Sequence, residues 1–166
     1  MFDKKLLAAA ERILTACRAR GLKVATAESC TGGLVAAALT DIAGSSDVVD
    51  CGFIVYSNDA KQLMLHVPAA VIGDNGAVSR ATAEAMAQGA LRRSGADLAI
   101  AVTGIAGPGG GSADKPVGLV HFAAAGAGRL IHREKRFGAI GRGEVRRRSV
   151  LEALMLLEEL ARADHA

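Results

Sequence analysis

Two adjacent nucleophilic side chains, Ser29 and Cys30, stand where a short apolar run ends and a helical pattern begins. The complete turn between these runs is Ser29, Cys30, Thr31, Gly32 and Gly33. In α/β proteins, ligands bind at the carboxyl ends of strands, where helix N-termini present unpaired backbone N–H groups. A hydroxyl or thiol at that edge can bind a ligand or attack a carbonyl carbon. A structural role is the alternative: Ser29 or Thr31 caps the helix, and the glycines let backbone approach backbone.

A nucleophile of this kind needs a base, and the sequence offers two lysines for that role. Histidine is the usual base, but the four histidines have no spacing that ties them to Ser29. Lysine can serve when a dry site or a neighbouring cation lowers its pKa, and lowering it from about 10.4 to near 7 takes about 4 to 5 kcal/mol. Lys61 lies among apolar residues one helical turn after Tyr56, and Lys115 follows a glycine-rich loop. The residues alone do not choose between the two lysines.

The most glycine-rich stretch, 103–112, follows the most apolar strand pattern of the chain. It fits neither the phosphate loop GxxxxGK(S/T) nor GxGxxG, because Ser112 stands where the last glycine would fall after Gly107 and Gly109. Backbone N–H groups in such a loop can line a concavity that binds an oxyanion or a phosphate. A flexible surface loop is the structural alternative.

Basic residues are concentrated in segment 129–148, which has eight Lys or Arg against two Glu, although the net charge of the chain is only +3. Four arginines lie at or near the start of the last predicted helix: Arg142, Arg146, Arg147 and Arg148. The helix macrodipole already places about half a positive charge there, so each cation costs a few tenths of a kcal/mol unless an anion is present. Glu144 is expected to offset one arginine. The pattern predicts an anionic ligand such as a phosphate monoester, and a solvated basic face is the alternative.

The composition argues against several classes of protein. Tryptophan is absent and aromatic residues make up 3% of the chain, so base stacking of the kind used by single-strand nucleic-acid binders is not expected. The three cysteines form no CxxC pair, which indicates a reducing compartment and no structural metal site. No apolar segment is long enough to span a membrane. We expect a cytoplasmic protein without nucleic-acid or membrane partners, and a homo-oligomer because apolar-rich chains of this size often self-associate.

The elements that must position these residues follow from hydrophobic periodicity and turn signals. Helical patterns cover 2–20, 34–42, 58–66, 80–93 and 143–163, and strand patterns cover 22–27, 48–56, 97–102, 117–125 and 130–137. Ser57 and Ser79 are predicted N-caps, and 68–78 is predicted to be irregular. We expect one domain over 1–166, with an α/β fold. Its architecture is a three-layer α/β/α sandwich around a mixed, mostly parallel sheet with an antiparallel hairpin and with 97–102 in the centre.

The chain contains three motifs that occur in the same order in a known family. They are Glu28-Ser29-Cys30-Thr31-Gly32-Gly33, Tyr56-Ser57-Asn58 followed by Lys61, and Thr103-Gly104-Ile105-Ala106-Gly107-Pro108-Gly109-Gly110. On these motifs the chain closely resembles the CinA C-terminal domain family, over about residues 24–160. Stand-alone members of that family include nicotinamide-nucleotide amidohydrolases. The resemblance therefore implies hydrolysis of nicotinamide mononucleotide to nicotinic acid mononucleotide and ammonia, a step in pyridine nucleotide recycling.

The resemblance also implies roles for individual residues. Ser29 is the implied nucleophile, Lys61 its general base and Tyr56 an assistant in proton transfer, with water hydrolysing the acyl-enzyme and neither metal nor cofactor involved. From their positions we expect oxyanion or substrate contacts from Cys30, Thr31, Gly32, Gly33, Thr103, Gly104 and Gly107. Arg142 and Arg146 are the predicted phosphate contacts.

One position departs from the family pattern. Members commonly have an Asp-Arg pair at the start of the last helix, and here Gly141 precedes Arg142. The departure concerns the phosphate contact and leaves Ser29, Tyr56 and Lys61 unaffected. A non-catalytic module that binds a nucleotide or a protein partner in competence and DNA-damage responses is the alternative function. The intact Ser, Tyr and Lys set argues against it, because binding alone does not require that combination.

Overall fold

Within residues 2–162, which the computed structural model describes, five strands form one sheet and six α-helices cover its two faces. The helices are α1 (Lys4–Arg20), α2 (Leu34–Thr40), α3 (Asn58–Leu65), α4 (Ala69–Asn75), α5 (Arg80–Arg93) and α6 (Arg142–Arg162). The strands are β1 (Val24–Glu28), β2 (Val49–Ile54), β3 (Leu98–Gly104), β4 (Leu119–Gly126) and β5 (Arg129–Arg136), and Ser45–Asp47 forms a 3₁₀ turn. None of these helices has the length and apolar content needed to cross a membrane.

The sheet has the strand order β2-β1-β3-β4-β5. β1 is parallel to both β2 and β3, whereas β4 is antiparallel to β3 and to β5. Four of these five strands therefore point the same way, and β4 with β5 forms the predicted hairpin. α1, α2 and α6 cover one face and α3, α4 and α5 cover the other. The predicted three-layer α/β/α sandwich around a mixed sheet is confirmed.

Strand β3 occupies the centre of the sheet, as its apolar sequence predicts. Leu98, Ile100 and Val102 join the core on the side of α1 and α6, and Ala99 and Ala101 join the core on the side of α5. A strand that is apolar on both faces must be covered on both, and only the interior of the sheet provides that.

A glycine lets helices α3 and α5 approach each other closely. A Cβ added at Gly89 of α5 would lie 2.2 Å from the carbonyl oxygen of Leu65, the last residue of α3. No side chain fits in that gap, so glycine is required where the two helices meet. The contact fixes the position of α3, the helix that contains Lys61.

The structure corrects the prediction for segment 68–78, which contains helix α4 and is not irregular throughout. Pro68 occupies the N-cap of α4 and Ile72 is buried against α5 and its neighbours. The turn-forming residues Gly73, Asp74 and Asn75 make up the last turn of this helix, and Gly76 ends it with a φ of +80°. The other predicted boundaries differ from the observed ones by at most two residues, and residue 163 of the predicted last helix lies outside the described residues.

Both predicted serine N-caps are confirmed. Ser57 Oγ accepts a hydrogen bond from the N–H of Ala60 at 3.0 Å, at the start of α3. Ser79 Oγ accepts one from the N–H of Thr82 at 3.1 Å, at the start of α5. Such caps satisfy one of the unpaired N–H groups at a helix start and contribute about 1 kcal/mol each.

Candidate active site

A cavity of about 270 Å³ opens where the parallel strands end. Because β1, β2 and β3 run parallel, their carboxyl ends meet at one edge of the sheet. The loop after β1 contributes Ser29 and Cys30 to the wall, and the segment after β2 contributes Tyr56 and Lys61. The glycine-rich loop after β3 and Arg142 at the start of α6 complete it. The three sequence motifs are therefore brought together in one place.

Lys61 is buried against the hydroxyl group of Ser29. Its Nζ lies 3.1 Å from Ser29 Oγ, and the residue is 1% exposed. The same Nζ donates to the carbonyl oxygens of Val55 at 3.0 Å and Tyr56 at 3.3 Å. Burial lowers the pKa of Lys61 below its ordinary value of 10.5, with a smaller opposing effect from Cys30. A lysine held this way is a candidate base for Ser29.

The structure distinguishes the two lysines that the sequence left open. Nζ of Lys115 donates to the carbonyl oxygen of Asn75, the last residue of α4, in an exposed hydrogen bond. Of the two, Lys61 is therefore the one in contact with Ser29.

Cys30, the other candidate nucleophile, has an environment that favours the thiol. It is 6% exposed, and burial raises its pKa to about 12, with the carboxylate of Glu28 adding to the effect. The thiolate is the nucleophilic form of cysteine, so this environment disfavours Cys30 as the nucleophile. Ser29, by contrast, contacts a candidate base.

Tyr56 and Arg142 form a hydrogen-bonded group at the mouth of the cavity. Arg142 Nη2 donates to the phenolic oxygen of Tyr56 at 3.0 Å, and its Nη1 donates to the carbonyl oxygen of Gly107 at 3.0 Å. The Tyr56 side chain is exposed, and it is the backbone carbonyl of this residue that contacts Lys61. The guanidinium of Arg142 thus links the segment after β2 to the glycine-rich loop and retains donors for a ligand.

Neither Ser29 nor Thr31 caps helix α2, which corrects the structural alternative drawn from the sequence. Gly33 stands at the N-cap with a φ of +100° and offers no side chain for capping. The carboxylate of Glu28 takes this role from the end of β1, accepting from the N–H groups of Gly33, Val35 and Ala36 at 2.9–3.0 Å. Its side chain is fully buried. Ser29 is thereby left free for the cavity.

Glu28 is a neighbour of the candidate site for which the sequence predicted no role. An acidic residue at the end of an otherwise apolar strand, six positions before the first residue of a helix, was the available signal. Buried carboxylates occur where several N–H donors satisfy them, and a helix start supplies those donors.

Arg146 contacts the turn of residues 29–33, which we call the nucleophile turn. Its Nε donates to the carbonyl oxygen of Cys30 and its Nη2 donates to that of Thr31, both at 3.1 Å. Unlike Arg142, it does not line the cavity. Arg147 and Arg148 share the carboxylate of Glu144, and Arg147 also pairs with Asp3. Glu144 therefore offsets two arginines and not the single one that was expected, which leaves Arg142 as the arginine of this group that faces the cavity.

The remaining predicted substrate contacts divide into two groups. Thr103, Gly104 and Gly107 line the cavity, as do the unpredicted Asn58 and Ala77. The hydroxyl of Thr103 donates to the carbonyl oxygen of Ala77 at 2.7 Å, which ties the end of β3 to the segment before α5. Thr31, Gly32 and Gly33 lie behind the wall, in the turn that positions Ser29 and Cys30. Over residues 2–162, no group of three or more His, Cys, Asp or Glu side chains is arranged to hold a metal ion.

The fold and the site together define an α/β sandwich protein with a serine and a buried lysine at the carboxyl ends of parallel strands. The sequence model of the CinA C-terminal domain matches residues 6–161, so the chain belongs to this family. Among solved structures, the competence/damage inducible protein CihA from Agrobacterium tumefaciens is 56% identical with a TM-score of 0.95, over 96% of this chain and 98% of that one.

The curated relatives fall into long and short proteins. A CinA-like protein of Synechococcus sp. (strain RCC307) is 54% identical over 87% of this chain, but the chain spans only 35% of its length. The nicotinamide-nucleotide amidohydrolase PncC of Escherichia coli (strain K12) is 48% identical, and the match covers 95% of each chain. The chain thus spans about a third of several longer relatives and nearly all of PncC.

Proposed function

We propose that this protein is an amidohydrolase that converts nicotinamide mononucleotide to nicotinic acid mononucleotide and ammonia. The observation that carries the proposal is the buried Lys61 amine at 3.1 Å from the Ser29 hydroxyl in a cavity bordered by Arg142. The similarity to PncC over nearly the whole of both chains supports the same reaction class and substrate. We place this activity in the cytoplasm, in a homo-oligomer that needs no metal, cofactor or nucleic acid.

The surroundings of Lys61 suit a neutral amine that accepts a proton from Ser29. A neutral amine has two N–H bonds and one lone pair. The carbonyl oxygens of Val55 and Tyr56 accept the two hydrogens, and the lone pair then points at Ser29 Oγ. Burial favours this neutral form. The backbone thus orients the base without any third side chain.

The reaction proceeds through an acyl-enzyme. Ser29 Oγ attacks the carboxamide carbon while Lys61 takes its proton, and the C–N bond of the amide breaks as Lys61 returns that proton to the leaving ammonia. Water then attacks the nicotinoyl ester and gives a proton to Lys61. The C–O bond to Ser29 breaks as Lys61 returns that proton to Ser29 Oγ, and the acid product ionises to the carboxylate. Tyr56, at the mouth of the cavity, is the proposed assistant in proton transfer.

The nucleophile turn offers one N–H group for the oxyanion of each tetrahedral intermediate. The N–H of Ser29 donates to Val102, that of Gly32 to the Ser29 carbonyl, and that of Gly33 to Glu28. Among the hydrogen bonds of residues 2–162, the N–H groups of Cys30 and Thr31 have no such acceptor, although the Cys30 N–H contacts the thiol of its own residue. Of these two residues, Cys30 lines the cavity. We therefore assign Cys30 N–H as an oxyanion donor, a role worth about 3 to 4 kcal/mol.

Ammonia release from nicotinamide mononucleotide by the purified protein tests the proposed function, with nicotinamide and nicotinamide riboside as comparison substrates. We expect hydrolysis of the mononucleotide and far slower hydrolysis of the two compounds without phosphate. A wild-type protein that binds the mononucleotide and leaves its amide intact would favour the non-catalytic binding module.

Arg142 is the proposed phosphate contact, and its replacement tests that assignment. In Arg142→Gln the cavity loses its bordering cation, so KM for nicotinamide mononucleotide is expected to rise about 10- to 100-fold, the usual worth of a charged hydrogen bond of 1.5 to 3 kcal/mol. Hydrolysis of nicotinamide riboside, which lacks the phosphate, is expected to change much less. Equal losses on both substrates would instead assign Arg142 to the chemistry through Tyr56.

A further inference from the structure

We propose that Arg146 is a positioning residue that aims and polarises the backbone N–H of Cys30 as the oxyanion donor. The inference rests on the proposed function, since it concerns the tetrahedral intermediate formed at Ser29. It assigns to Arg146 a task within the nucleophile turn in place of the phosphate contact predicted from the sequence.

The evidence is a continuous chain of hydrogen bonds from the guanidinium to the cavity wall. Arg146 Nη2 donates to the carbonyl oxygen of Thr31 at 3.1 Å. The N–H of the same peptide group belongs to Gly32 and donates to the carbonyl oxygen of Ser29 at 3.0 Å. The Ser29 carbonyl in turn shares its peptide group with the N–H of Cys30. Two peptide groups therefore connect Arg146 with the proposed oxyanion donor.

The geometry of the peptide group gives this chain a direction. In a trans peptide the C=O and N–H bonds point in opposite directions within one plane. Since the Ser29 carbonyl accepts from Gly32 within the turn, the N–H of Cys30 points away from Gly32, and Cys30 lines the cavity. Arg146 Nε also donates to the carbonyl oxygen of Cys30 at 3.1 Å, which holds the carbonyl end of Cys30 in place.

The charge of Arg146 strengthens the last donor in the chain. Hydrogen bonds in series polarise one another, so a cation on the first carbonyl makes each following N–H a better donor. The carboxylate of Glu28 holds the rest of the turn through Gly33, Val35 and Ala36. The turn is thus fixed by an anion on its N–H groups and by a cation on its carbonyl groups.

The experiment measures two rates in wild type, Arg146→Met, Arg146→Lys and the matched control Arg148→Met. The first is phosphonylation of Ser29 by a fluorophosphonate probe, which forms a tetrahedral adduct and needs no amide substrate. The second is hydrolysis of nicotinamide mononucleotide, with kcat and KM determined separately. Arg148 lies on the same helix and pairs with Glu144, away from the cavity.

We expect Arg146→Met to slow phosphonylation and to lower kcat by about 10²-fold each, the loss typical of one oxyanion donor, with KM changed less than threefold. Arg146→Lys keeps the charge but can reach one carbonyl at a time, so it should lie between Arg146→Met and wild type. Guanidinium ion added to Arg146→Met should restore part of both rates, which a merely structural loss would not allow. Arg148→Met is expected to match wild type.

Three results would overturn the inference. A raised KM with an unchanged phosphonylation rate would make Arg146 a phosphate contact. Unchanged rates in both Arg146 variants would remove any role in the turn. A wild type that is neither phosphonylated nor active would contradict the assignment of Ser29 and this inference together. A wild type that is phosphonylated yet releases no ammonia contradicts the proposed substrate alone, and the phosphonylation rates of the variants still decide the role of Arg146.

Discussion

Ser29→Ala is expected to lower kcat for nicotinamide mononucleotide by about 10⁴-fold or more, the scale of loss seen when a catalytic serine is removed. The variant lacks the hydroxyl oxygen that lies 3.1 Å from Lys61 Nζ. It removes one hydroxyl from a residue that is 8% exposed, so the cost in stability should be about 1 kcal/mol. Ammonia release and thermal unfolding by circular dichroism measure the two effects.

Cys30→Ala is the matched control for that experiment. It removes the neighbouring candidate nucleophile while keeping the backbone N–H of residue 30 in place. Because burial raises the pKa of Cys30 to about 12, its thiol takes no part in the proposed chemistry, and the loss in kcat should stay below about tenfold. If Ser29→Ala remained active and Cys30→Ala did not, the roles of the two residues would be exchanged. Equilibrium binding of the mononucleotide to Ser29→Ala should remain, since the variant keeps the proposed phosphate contact, Arg142.

Lys61→Met is expected to lower kcat by about 10³- to 10⁴-fold, the upper range for removal of a general base. Methionine is unbranched and of similar length, so it fits the buried space without a cavity. It also removes an amine whose burial disfavours the charged form, and the variant should therefore fold. Single-turnover measurement of ammonia release separates the chemical step from product release.

Lys115→Met is the control, because the Lys115 amine donates to the carbonyl of Asn75 in an exposed hydrogen bond and does not line the cavity. It should keep wild-type kcat. A large loss in Lys115→Met together with an active Lys61→Met would reverse the choice between the two lysines.

The pH profile of the wild type tests the same assignment without a mutation. Lys61 accepts the proton of Ser29 only as a neutral amine, so kcat/KM is expected to rise with pH and to level off once the amine is neutral. Because burial lowers the pKa of Lys61, the midpoint of this rise should lie below 10.5. A profile that is flat from neutral pH downward, or one that falls as pH rises through this range, would contradict a lysine base.

The elements of this protein could be predicted from the sequence because they depend on local properties of the chain. Apolar periodicity located the strands and all but one of the helices, and Ser57 and Ser79 cap helices through atoms three residues away. The segment 68–78 was read as a loop, since Gly, Asp and Asn are turn residues and also end helices. The position of β3 in the sheet followed from its apolar sequence alone.

The candidate site was predicted in part, through the nucleophile turn and the glycine-rich loop. Both follow strands, and parallel strands end at one edge of a sheet, so their meeting was expected. The positions of strand ends do not predict which of two candidate residues lies in the site. The structure was needed to distinguish Lys61 from Lys115, Ser29 from Cys30, and Arg142 from Arg146 as the arginine of the cavity wall.

The sequence by itself thus determined the order of elements, the central strand and the segments that form the site, while the tertiary structure decided which side chains of those segments meet. Burial and hydrogen-bond partners set the pKa of a lysine or a thiol, and those partners come from residues distant in the chain. Arg146 and Cys30 are 116 positions apart, and Lys61 and Ser29 are 32 positions apart. No local pattern encodes such pairs, because packing of the helices against the sheet creates them.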